Sequence, residues 1–133
     1  MENPVPVPRV VASVRRPSEV NGPFVCGWSA VGGCAVVRVA GQVDGVTAPA
    51  FETELRHVIT TKLPKLVVDL RRVTAMEPPG LAVLTNAHEL ALEHGGWLRT
   101  SGAAKWLADL IRTIAPDHYP TLAEALPAYR RAT

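Results

Sequence analysis

Residues 66–84 read Leu66-Val67-Val68-Asp69-Leu70-Arg71-Arg72-Val73-Thr74-Ala75-Met76-Glu77-Pro78-Pro79-Gly80-Leu81-Ala82-Val83-Leu84. An apolar run as short as a buried strand passes through a turn into an amphipathic segment. Such strand-to-helix turns are where α/β domains place their working groups. Here two adjacent prolines fill the turn, and proline offers neither a reactive side chain nor a backbone N–H. The spacing predicts a central strand over residues 65–70. Because a residue preceding proline is steered away from the α region, the following helix is expected to open at Pro79 or Gly80.

The pattern extends in both directions. Phe24 to Ala30 and Ala35 to Val39 flank Gly32-Gly33, a hairpin signature. Gly41-Gln42-Val43-Asp44-Gly45 should then break the second strand. Thr47 or Ala48 is expected to cap a helix with Pro49 in its first turn. Phe51, Leu55, Val58 and Ile59 form its buried face, Glu52, Glu54 and Lys62 suit its dipole, and Pro64 stops it.

Beyond the quoted stretch, Val83, Leu84, Ala87, Leu90 and Ala91 give the second helix a wide apolar face, ended by Gly95-Gly96. Trp97 to Thr100 reads as a strand. Ala103, Leu107, Leu110, Ile111 and Ile114 repeat at helical spacing up to Pro116, and His118-Tyr119 has room only for a very short strand. Thr121-Leu122-Ala123-Glu124 is a capping box for a last helix, with Leu122, Ala125, Leu126 and Tyr129 inward and Pro127 as a kink. Strands alternating with helices require crossovers. The expected fold is therefore one α/β domain over residues 23–133: a mixed, mostly parallel sheet of about five strands with an N-terminal hairpin and about four helices. Residues 1–22, with Pro4, Pro6, Pro8 and Pro17, read as a flexible proline-rich arm, with PxxP recognition as an alternative.

At 133 residues the chain is long enough for one cored domain, and its 47% hydrophobic and 20% charged content is that of an ordinary globular protein. A net charge of +2 with scattered arginine pairs argues against nucleic acid or a membrane as partner. No apolar run approaches the ~18 residues of a membrane span, and no secretory leader is evident, so a cytoplasmic location is expected. Across the hairpin Cys26 should face Val39 and Cys34 should face Val31, too far apart for a disulfide, so both thiols should be free.

Candidate chemistry is sparse. His57, His88, His94 and His118 lack metal-ligand spacing, the three tryptophans are expected in the core, and there is neither a phosphate loop nor a nucleophile elbow. Asp69 invites comparison with an aspartyl phospho-acceptor, but acids after the first strand and a lysine after the last are missing. A metal site from Asp44, Asp69 and Glu77 would require all three to converge. No cofactor, metal or catalytic residue is expected.

From Phe24 to Leu126 the chain resembles the STAS domain of bacterial anti-sigma-factor antagonists. The resemblance rests on Val39-Ala40-Gly41-Gln42-Val43-Asp44 with Thr47-Ala48-Pro49-Ala50-Phe51, on Leu66 to Leu70 with Val73-Thr74, on Gly80 to Leu84, on Gly95-Gly96 with Leu98, and on Thr121 to Leu126. It implies a non-enzymatic regulatory module that binds an anti-sigma factor of the ATP-binding serine-kinase type. In the family, phosphorylation of a serine at the start of the second helix ends that binding. The serine position falls on Pro78, which cannot accept phosphate.

The resemblance places Asp44, Thr74, Glu77, Pro79, Gly80 and Leu81 on the partner face. An aspartate at position 44 lies near the kinase-binding face in relatives, though it equally serves as a turn cap. Glu77 stands where relatives carry aspartate and reads as a mimic of the phosphorylated state, a partner contact, or a carboxylate suited to a helix start. Thr74 and Thr85 are the nearest alternative hydroxyls. A domain turned to a nucleotide or other small ligand is the competing reading.

Overall fold

The structure, a computed structural model, describes residues 24–126; the proline-rich arm, Pro127 and Tyr129 lie outside the described residues. The elements in chain order are β1 (Val25–Val31), β2 (Cys34–Val43), α1 (Ala48–Thr61), β3 (Lys65–Met76), α2 (Pro78–Glu93), β4 (Trp97–Ser101), α3 (Lys105–Ile111), β5 (Asp117–Tyr119) and α4 (Leu122–Ala125). They form one five-stranded sheet in the order β1-β2-β3-β4-β5. The β1–β2 hairpin is antiparallel and every later pairing is parallel, as the alternation of strands and helices requires.

Gly32 and Gly33 turn the hairpin with φ of 58° and 83°, the left-handed pair that a two-residue turn demands. This register sets Cys26 opposite Val39 and Cys34 opposite Val31. Strand alternation then sends the two thiols to opposite faces of the sheet. Both are buried and free.

One face of the sheet holds the main core. Val37, Val39, Leu66, Val68, Leu70 and Leu98 meet Phe51, Leu55, Val58, Leu84, Leu107 and Ile111 from α1, α2 and α3. Each fully buried leucine or phenylalanine contributes about 1.5–3 kcal/mol through removal from water. Phe24 closes the core edge-on against Phe51, with ring centroids 6.4 Å apart. On the opposite face, Ala125 and Leu126 cover only Cys34, Val36 and Val67, helped by Val31, Trp97, Tyr119 and Leu122. Arg99 anchors that corner: its guanidinium lies 4.0 Å from the Trp97 ring centroid and donates to the Ala125 carbonyl at 2.9 Å.

Several local expectations are corrected. The central strand runs to Met76 rather than ending at Leu70, and β2 continues through Gly41 to Val43 rather than breaking there. Two register shifts between these strands, one at Arg38/Ala40 and one at Gly41/Gln42, let the pair stay hydrogen-bonded while its apolar alternation slips. The sequence pattern lost its period at these bulges, which mimicked strand ends. The second helix opens at Pro78, one residue before the earliest expected start. Its first two positions need no N–H partner, and proline's fixed φ suits them, which outweighs the bias against an α conformation before proline.

In α1 the first turn carries no acidic residue, and Glu54 is buried rather than facing solvent near the dipole. The third helix is only seven residues long and buries Ala108, leaving Leu110 and Trp106 36% and 43% exposed. The expected inward Leu110 and core Trp106 are thus overturned, because a two-turn helix covers the sheet with a narrow stripe. The Thr121 hydroxyl accepts from Glu124 N–H at 3.2 Å, the expected cap of α4.

Candidate functional site

The end of β2, the loop into α1 and the start of α2 meet at one corner of the sheet. Asp44 organises the loop. Its Oδ1 accepts N–H bonds from Val46 at 2.9 Å and Thr47 at 3.0 Å, while its carbonyl accepts from Ala48 N–H at 2.8 Å. Thr47 is 2% exposed, and its hydroxyl donates to the Gln42 carbonyl and accepts from Asp44 N–H, both at 2.9 Å. Its side chain therefore ties the helix start back to the strand instead of capping α1. The result is a rigid loop that holds Val46 outward at 72% exposure. Sequence reasoning passed over Val46; the signal was an apolar residue inside a Gly-Val-Thr turn between two capping side chains.

Across from this loop, Glu77 N–H donates to the Val43 carbonyl at 2.8 Å, fastening the entry of α2 to the end of β2. Glu77, Pro78 and Pro79 are exposed, Leu81 is half-buried, and Gly80 is buried. Gly80 is therefore a packing position and does not itself present a surface. A β-carbon at residue 80 would lie 2.6 Å from Val43 Cγ1 and would collide with the Met76 sulfur. Thr74 is exposed on β3 rather than in a turn, and Thr85 donates its hydroxyl to the Leu81 carbonyl at 3.2 Å.

The helix start has no donors left for an anion. Pro78 and Pro79 occupy the first two positions and have no N–H, and Gly80 N–H is spent on the Glu77 carbonyl at 2.8 Å. Leu81 N–H points to the same carbonyl at 3.4 Å. What remains exposed at this helix start is the Glu77 carboxylate and two proline rings.

Asp69 does not join this corner. It pairs with Arg38 and Ser101 in mid-sheet, seven residues before Met76 on the same strand, so the Asp44–Asp69–Glu77 trio is not assembled. Its carboxylate is 3% exposed and held by Arg71, whose backbone N–H and Nε reach Oδ1 at 3.1 and 3.2 Å. Among the described residues no three His, Cys, Asp or Glu side chains are grouped to hold a metal ion, and no helix is long and apolar enough to cross a membrane.

A mixed sheet with three helices on one face and a short helix on the other, with loops gathered at one corner, has known counterparts. The family described as "Mlab, STAS domain" matches residues 26–124. An anti-sigma factor antagonist from Mycobacterium paratuberculosis is 32% identical, with 80% of this chain and 94% of that one covered at a TM-score of 0.65. The Bacillus cell fate determinant SpoIIAA in its phosphorylated form is 14% identical, with 79% and 99% covered at a TM-score of 0.64. RsbS from Moorella thermoacetica is 19% identical, with 78% and 93% covered at a TM-score of 0.62. The latter two show likeness of fold alone. No curated protein sequence matches the chain significantly. The chain belongs to the STAS-domain family.

Proposed function

We propose that this domain is a regulatory, non-catalytic binding module of the anti-sigma-factor-antagonist kind. Its partner is an anti-sigma factor of the ATP-binding serine-kinase type, and its binding is not switched off by phosphorylation. Asp44 and Thr74, with Glu77, Pro79 and Leu81, border the docking corner, Gly80 packs beneath it, and Val46 supplies its most exposed apolar contact. The observation that carries the reading is the exposed Pro78-Pro79 pair at the start of α2, beside a loop stiffened by Asp44 and Thr47. Neither ring can take up the roughly −1.5 to −2 charge that phosphorylation would add. The sequence likeness to the Mycobacterium antagonist supports the partner class.

The test is calorimetric binding of the full chain to kinase-type anti-sigma factors, with and without ATP. Complex formation that survives ATP turnover, with position 78 unmodified, supports the reading. Loss of binding in Val46→Asp places the contact at this corner, and the exposure of Val46 spares the fold. Stoichiometric phosphate on Thr74 or Thr85 that dissolves the complex would overturn the unswitched state. Failure to bind any such kinase would overturn the partner class. Pro78→Ser supplies an acceptor hydroxyl and should introduce ATP sensitivity if the partner still recognises this helix start.

A further inference from the structure

The sheet face opposite α1, α2 and α3 is only partly covered. Beyond the patch under α4, the residues that follow Val36 and Val67 on that face are Arg38 and Asp69. The register shift between β2 and β3 falls next to them: Arg38 pairs with Asp69 and Ala40 with Arg72, so β3 carries one extra residue. In a regular strand, the consecutive Arg71 and Arg72 would face opposite sides of the sheet. Here Leu70 and Val73 are both buried and both arginines are exposed, so the bulge brings them to the same side. The outcome is a recess lined by Arg38, Val39, Asp69, Arg71 and Arg72.

Three arginines and a single aspartate line it. Asp69 does not serve as their common counter-ion. It is buried, and Arg71 engages it through the backbone N–H and Nε, so the Nη groups of Arg71 stay uncommitted. Arg38 spends one Nη on the Ser29 hydroxyl at 3.2 Å, and Arg72 has no hydrogen-bond or ion-pair partner among the described residues. Of the remaining described arginines, Arg56 lies on α1, Arg112 caps the end of α3 and Arg99 is stacked at the α4 corner. Arginines that line one recess suit a tetrahedral oxyanion, because each guanidinium fork offers paired N–H donors at fixed spacing.

We propose that this recess is a phosphate-binding site, taking the phosphate group of a small soluble phosphomonoester or diphosphate. Asp69 positions Arg71, and Arg38 and Arg72 supply the charge. The site lies on the other face of the sheet from α1 and α2, and it does not depend on the partner reading above.

The experiment is thermal unfolding of the full chain in inorganic phosphate and in pyrophosphate, each against sodium chloride of equal ionic strength. The expected result is a Tm that rises by several degrees with phosphate and more with pyrophosphate, as for a ligand that binds only the folded state. Arg38→Gln with Arg72→Gln, both at exposed positions, should weaken the apparent affinity about tenfold or more. Arg56→Gln on α1 should leave it unchanged. No difference from chloride overturns the site, as does a shift retained in the double variant or lost equally in Arg56→Gln. Binding to phosphatidylglycerol vesicles or to hexaglutamate peptide without any response to soluble phosphate also overturns it.

Discussion

Gly80 lies directly on Val43, so closely that a β-carbon at position 80 would sit 2.6 Å from Val43 Cγ1 and 3.3 Å from its Cβ. The contact holds the first turn of α2 close against the end of β2. Gly80→Ala is expected to destabilise the domain by about 1–3 kcal/mol, as overpacking does. Denaturant midpoints at unchanged m-value would show it. Val43→Ala in the same chain should recover part of that loss, and a double-mutant cycle isolates the coupling. Additive losses would mean that Gly80 is not needed for this contact.

Thr47 makes two hydrogen bonds from a site closed to water. Thr47→Val keeps the shape and removes both, stranding the Gln42 carbonyl and the Asp44 N–H. The expected cost is about 1–3 kcal/mol. Asp44→Ala, which frees the N–H groups of Val46 and Thr47, should cost about 1 kcal/mol. It should also raise hydrogen exchange at those two amides, which distinguishes loss of the loop's rigidity from a general weakening of the core.

His118 carries a pH dependence. Burial, aided by the Arg112 charge, holds its imidazole below the ordinary value of 6.5. The Thr100 hydroxyl lies 3.1 Å from the Asp117 carbonyl and 2.8 Å from His118 Nδ1. As pH falls through about 6.5, the unfolded chain takes up a proton before the folded one does. The stability contribution is complete above that pH, declines as pH drops towards the folded pKa, and levels off below it. Unfolding midpoints measured between pH 7.5 and about 5 should fall accordingly, and His118→Gln should flatten that part of the profile.

The two thiols should behave as buried, unpaired groups. Burial raises the pKa of Cys26, with the nearby Glu54 adding to the effect. Burial also raises that of Cys34, against the opposing charges of Lys65 and Arg99. Thiol reagent at neutral pH should label neither rapidly in the folded protein and both on unfolding. Mild oxidation should produce no intramolecular disulfide, since the thiols lie on opposite faces of the sheet.

Arg99 ties α4 to the sheet through the Ala125 carbonyl and the Trp97 and Tyr119 rings. Arg99→Ala should release this four-residue helix while sparing the main core. Faster amide exchange confined to residues 122–126, with a global loss of about 1–2 kcal/mol, would be the signature.

Element type and order were legible because burial imposes a period. Val36, Val37 and Val39, Leu66 to Leu70, and Phe51, Leu55 and Val58 carry their strand and helix spacings openly, and Gly32-Gly33 and Pro64 punctuate them. The proline-filled entry to α2 was equally plain, since it follows from residue identity alone. By contrast, the length of β3 and the continuity of β2 were hidden, because a bulge changes the apolar period without ending the ladder. Nor could local spacing show that Gly80 is consumed by packing, that Val46 is held outward, or that Asp69 belongs to Arg71. Gly80 depends on Val43 and Met76 from other elements, and the other two depend on hydrogen bonds that the loop and the bulged strand set up.

Sequence alone therefore settled the α/β class, the hairpin register that separates Cys26 from Cys34, and the absence of a hydroxyl at position 78, all properties of short-range pattern and side-chain identity. Tertiary structure alone decided which groups meet across elements: Glu77 N–H with the Val43 carbonyl, and Arg38 with Arg71 and Arg72 around one recess. The reason is that a parallel sheet joins residues through crossovers dozens of positions long. Contact there is set by register and bulge, which no window of sequence contains.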